Sequence, residues 1–161
     1  MRISVVLDGQ DLSLLRPFWC AALGYEVAGA LEDFDVLRAR DGEPTGPVFI
    51  LQRVPEGKVH KNRMHVDVHP PLELGVPGLV ERLEALGGRR LGEPVTDLLA
   101  SLGIWWQVMA DPEGNELDIV ADPGHPGPGH PGPGHPGPGH PGPGHPGPAP
   151  GTPASPATPA P

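Results

Sequence analysis

The stretch MADPEGNELDIV, residues 109–120, decides the fold. Asp111, Pro112 and Gly114 suit positions i, i+1 and i+3 of a type I turn, so ADPEGN reads as the tip of a hairpin. GIWWQVMA leads into the turn and NELDIV leaves it. Alternate side chains of a strand share a face, so Leu117 and Ile119 point one way and Glu116 and Asp118 the other. Such alternation marks a sheet that is packed on one face only. The hairpin therefore predicts helices behind Leu117 and Ile119, and an open face that carries two carboxylates.

Upstream of the hairpin, RMHVDVHP at 63–70 predicts a strand and RRLGEP another. Between them GVPGLVERLEALGG, 75–88, predicts a helix with Pro77 in its first turn, Leu79, Val80, Leu83 and Leu86 on one face, and glycines at its end. The first half of the chain repeats this order. ISVVL is a strand, and Asp11 is placed to cap a helix over LSLLRPFWCAAL, with Leu14, Leu15, Phe18, Trp19, Ala22 and Leu23 at three- and four-residue spacing. Pro17 lies inside that helix at a cost, which predicts a late start or a bend. Three strands follow, YEVAG, DVLRARD and PVFILQRV. The fold class is α+β: two βαβββ modules, about 1–55 and 63–121, joined by PEGKVHKN, with helices outside a mixed sheet whose other face is free.

Residues 122–161 are different in kind. From Gly124 to Pro148 the unit GHPGP repeats five times, and every aromatic residue and every formal charge lies at or before Asp122. A segment with nothing to bury predicts a disordered, partly polyproline-like tail that folding can do without. The globular part, 1–121, has the size of one domain. Its single cysteine, Cys20, in an apolar helix, and a start without a long apolar run point to a cytoplasmic protein with no membrane span. The formal net charge is −9 and the basic residues are scattered, which argues against nucleic acid as a partner. Glycine-rich phosphate loops and nucleophile elbows are absent from the sequence.

On the strand at 63–70, Met64, Val66 and Val68 share one face and His65, Asp67 and His69 the other. If the free faces of the two modules curve around a common space, His65, Asp67, Glu116 and Asp118 line it. Imidazole and carboxylate are the usual ligands of zinc, iron, nickel and manganese.

The order of elements, FWCAALGYEV after the first strand, HVDV opening the second module and DPEGNELDI near its end resemble the vicinal oxygen chelate superfamily. That superfamily includes glyoxalase I, the fosfomycin and bleomycin resistance proteins and extradiol dioxygenases, and the likeness is to its small glyoxalase-like members. It implies a concave cleft, a homodimer and, in metal-using members, four ligands from the first and last strands of the two modules. Here those positions fall on Ser4, on Ile50 or Gln52, on His65 and on Asp118, so two of four keep ligand chemistry. The resemblance therefore implies a protein that binds a small organic molecule without a tightly held metal, with Phe49, Gln52, Arg53, Trp105 and Trp106 as further candidates to line the cleft. One of the two adjacent tryptophans must point into the core. The alternatives are a metal-dependent lyase, isomerase or dioxygenase that uses His65 and Asp118, and an interaction module acting through the GHPGP tail.

Overall fold

The computed structural model describes residues 3–42 and 46–129. Residues 130–161, for which the sequence predicts disorder, lie outside the described residues. Both modules have the expected order of elements. The first consists of β1 (Ser4–Gly9), α1 (Leu12–Leu23), β2 (Tyr25–Ala30), β3 (Phe34–Ala39) and β4 (Val48–Arg53). The second consists of β5 (Asp67–Val68), α2 (Gly75–Glu84), β6 (Arg89–Arg90), α3 (Leu99–Leu102), β7 (Trp105–Ala110) and β8 (Glu116–Ala121). The short α3 is additional to the sequence reading. No described helix is long and apolar enough to cross a membrane.

Helix α1 starts where the sequence places it. The Asp11 carboxylate accepts the amide of Ser13 at 2.9 Å, and Gly24 closes the helix at φ 67°, where a side chain would be strained. Pro17 is accommodated within one continuous helix, so the expected late start is not needed. The buried stripe is Leu12, Leu15, Phe18, Trp19 and Ala22, whereas Leu14 faces solvent. Leu12 takes its place because the stripe advances by threes and fours from the first helical residue.

Each module forms a four-stranded mixed sheet, ordered β1-β4-β3-β2 and β5-β8-β7-β6. In both, the first strand runs parallel to the last, and the hairpin partners run antiparallel. The expected sheet is thus built as two, with no hydrogen-bonded strand pair between them among the described residues. What unites the halves is one core. Leu37, Phe49 and Leu51 from the first sheet meet α1, α2 and Trp105, Met109, Leu117 and Ile119 from the second sheet in a single buried cluster. One face of each sheet is consequently packed on the helices and the other is left open. Strands β1 and β4 make no more than marginal contact with β5 and β8.

Candidate functional site

The turn that decides the fold is a structural joint. The Gly114 amide donates to the Asp111 carbonyl at 3.0 Å, as a type I turn requires, and Gly114 has φ 94°. The Asp111 carboxylate is fully buried and accepts four hydrogen bonds: from the amides of Glu113 and Asn115, from Nδ2 of Asn115 and from Nε1 of Trp19. Four donors offset the cost of burying that charge. Glu113 then accepts the amides of Gln10 and Asp11 at the start of α1, at 2.6–3.0 Å. The second module is in this way tied to the first helix at two places.

On β8 the alternation is as expected: Leu117 and Ile119 are fully buried, while Glu116 and Asp118 lie on the open side. Asp118 is the register partner of Asp67 on β5 and of Val108 on β7, so those three side chains share a face. His65, two residues before Asp67, joins them. Its Nε2 lies 3.2 Å from Asp67 Oδ1 and 3.5 Å from Asp118 Oδ2. One potential ligand atom from each of His65, Asp67 and Asp118 falls within 4.8 Å of the others. Side-chain exposures of 49%, 53% and 16% for His65, Asp67 and Asp118 leave the cluster open to an incoming molecule. Burial pushes the Asp118 carboxyl above its usual range, and Asp67 adds to the rise while His65 and Lys61 oppose it. One imidazole nitrogen and two carboxylate oxygens suit a divalent ion of the zinc, iron or manganese type by donor chemistry.

The other candidates are dispersed. Glu116 is engaged by the linker, accepting from Nζ of Lys58 at 3.1 Å and from the Asn62 amide at 2.9 Å. Burial raises its pKa, but the Asn62 and Lys58 donors outweigh this and hold the carboxyl below its ordinary value. His69 pairs with Asp122 at 3.0 Å and is not part of the cluster. Phe49, a candidate cleft residue, is stacked on Trp19 in the core with ring centroids 4.8 Å apart. Trp105 is likewise buried in the core. Trp106 pairs with Val120 on the same side of the sheet as Val108 and Asp118, which makes it the open-face tryptophan. Gln52 lies on the open side of the first sheet with Ile50, Val6 and Ser4, and is not among the residues that converge with His65. Arg53 sits near Asp33 at 3.8 Å in a hollow of ≈ 460 Å³ lined by Gln10, Val54 and Pro55 as well. Lys58, Asn62 and Lys61 were not singled out by the sequence; the only signal for them was a basic, polar linker between two modules.

Residues 4–120 match the family model for the glyoxalase-like domain. Among solved structures, the chain is similar to a glyoxalase-related enzyme from Fulvimarina pelagi, with 20% identity, a TM-score of 0.59 and coverage of 76% of this chain and 88% of that one. A glyoxalase/bleomycin resistance protein/dioxygenase family enzyme from Burkholderia phytofirmans PsJN gives 15%, 0.58, 73% and 95%. A genomically encoded fosfomycin resistance protein from Listeria monocytogenes gives 14%, 0.59, 75% and 92%. A comparison with curated proteins gives no match. At such identities the structural likeness speaks for the fold alone. With the paired βαβββ modules and the family match over most of its length, the chain belongs to the glyoxalase-like family of the vicinal oxygen chelate superfamily.

Proposed function

We propose that the protein binds a small organic molecule against the open face of β7 and β8, in a cleft completed by a second copy of the chain. One observation carries this reading. In this superfamily the site draws on the first and last strands of both modules, yet here those strands form two separate pairs, β1–β4 and β5–β8, with no more than marginal contact between them. The β5–β8 pair supplies His65, Asp67 and Asp118, with Trp106 beside them on β7. The β1–β4 pair supplies Val6, Ile50 and Gln52, and with Val36 and Phe34 it is a largely apolar surface. Val6 and Phe34 are 51% and 38% exposed. A polar half and an apolar half facing one another make the usual wall of a small-molecule site, and a homodimer brings them together twice. The test is fluorescence titration of the full chain with small carboxylate, phenol and thiol compounds. Quenching that disappears in Trp106→Phe, while Trp19 and Trp105 remain, supports the reading; quenching unchanged by that substitution overturns it.

The convergence of His65, Asp67 and Asp118 favours a second reading, in which a divalent ion joins the ligand and the protein is a metal-dependent lyase, isomerase or dioxygenase. Three donors on an open surface leave the remaining positions to solvent or substrate, so binding is expected to be weak. Calorimetry with zinc, nickel, manganese and ferrous iron on a chain ending at Gly129 removes the four later tail histidines that would otherwise capture ions. Binding abolished by both His65→Ala and Asp118→Ala supports a metal here. Binding insensitive to both places the ion elsewhere.

A further inference from the structure

The first GHPGP unit is seated on the domain. Pro123 and Gly124 form a turn closed by the His125 amide on the Asp122 carbonyl at 3.0 Å, with Gly124 at φ 104°, the backbone a Pro-Gly pair favours in a type II turn. Gly103, at the end of α3, lies against Pro123, where an added Cβ would be 3.7 Å from it. The His125 ring sits between two carbonyls, with Nδ1 3.1 Å from that of Asp122 and Nε2 3.2 Å from that of Pro70. Either tautomer therefore donates to one of them. The Pro126 carbonyl accepts from Nε1 of Trp105 at 3.1 Å. Trp105 is only 3% exposed, so this carbonyl gives a buried donor its partner.

We propose that Trp105 and Pro70 form a docking site for a GHPGP unit, and that the site takes whichever repeat reaches it rather than the first alone. Two of the three hydrogen bonds lie on the domain, at Trp105 Nε1 and the Pro70 carbonyl. The third is internal to the turn, three residues before the histidine, and travels with the repeat: Gly127 precedes His130 as Asp122 precedes His125. The Pro-Gly pair that forms the first turn also recurs, and Gly129 has the same left-handed sign of φ, at 87°. The features those three contacts use are thus repeated each five residues as far as Pro148, whereas the pairing of the Asp122 carboxylate with His69 is particular to the first unit and adds to its preference. Looping out one unit adds a closure cost that grows only slowly with length, so the first repeat is preferred and the others are reserves.

The experiment follows the three indole N–H resonances of the full-length, nitrogen-15-labelled chain. Trp19, bonded to Asp111, reports the fold, and Trp105 reports the docked repeat. Pro123, His125 and Pro126 are changed to serine at the first unit only, and in a second variant the corresponding residues of all five units are changed. The single-unit variant is expected to keep the Trp105 resonance near its original position, with exchange protection lowered on the order of tenfold, the length-dependent part of closing a five-residue loop. The five-unit variant is expected to lose that protection with the Trp19 signal in place. If the two variants behave alike at Trp105, the site belongs to the first repeat, or to none, and the proposal falls. Should the five-unit variant unfold, as Trp19 would report, the milder change of all five histidines alone takes its place: Trp105 protection lost there and kept when His125 alone is changed supports repeat exchange, and equal behaviour of the two overturns it.

Discussion

Asp118 and Ile119 are neighbours with opposite roles, and their difference can be measured. Ile119 is fully buried beneath the helices, so Ile119→Ala should cost about 2–5 kcal/mol in denaturant unfolding. Asp118 faces outward, and burial raises its carboxyl pKa above that of an unfolded chain. The folded state therefore holds a proton on Asp118 at pH values where the unfolded state has released it, and stability falls as pH rises through that window. Asp118→Asn, which never ionises, should be at least as stable as the parent at neutral pH. The difference should vanish below about pH 4, where the unfolded carboxyl is protonated too. A large loss of stability in Asp118→Asn at neutral pH would mean that its side chain is needed by the fold. The face of Asp118 was legible from alternation after the turn. The face of Phe49 was not, because VFIL is apolar at every position and carries no period of two. Only the seating of Trp19 shows which side of β4 the helix covers.

Among the elements, the DPEGN turn has the strongest sequence signature, and its contacts are structural. Asp111→Ala removes an acceptor from four donors, among them the buried indole N–H of Trp19. Leaving such groups unpaired costs about 1–3 kcal/mol each, so a fall of several kcal/mol in urea-measured stability is expected. An unchanged midpoint would show that the joint is dispensable. The same reasoning applies to Arg16 and Asp35, which join α1 to β3 through contacts of 2.7 and 3.1 Å. Asp35 is fully buried, and Arg16→Ala should cost about 3 kcal/mol, the lower end for a broken buried pair because the guanidinium is partly exposed. Strand β5 shows why boundaries were harder to read than elements. Eight residues suggested a strand, but only Asp67 and Val68 pair, because β5 is an edge with β8 as its one neighbour and Pro70 and Pro71 stop the ladder. The choice between Trp105 and Trp106 was similarly open. Alternation separates the two, but only the β7–β8 register, with Gln107 opposite Ile119, fixes which one the core receives.

For the whole molecule, the two open faces are the features that remain to be matched with partners. Val6→Lys places a charge on the apolar face of β1 while leaving the core untouched. If a second copy covers that face, sedimentation should show a dimer for the parent chain and a monomer for the variant, with the secondary structure of both alike. A parent chain that is monomeric at micromolar concentration would remove the dimeric cleft. The order of modules was readable because each carries its own periodicity, whereas their separation into two strand pairs depends on packing between segments far apart in the chain. The common core has one more consequence. Neither βαβββ unit encloses its own apolar residues: Trp19 of the first module finds its acceptor in the second, and α1 packs against α2. Cutting the chain between Glu56 and Gly57 should therefore give two fragments that are each unstructured alone. Mixed at equal concentration, they should reassemble and regain the near-ultraviolet dichroism of the intact protein. The linker would then be a convenience of covalent attachment, and the recognition between the halves would reside in the surfaces that the peptide bond merely holds near one another.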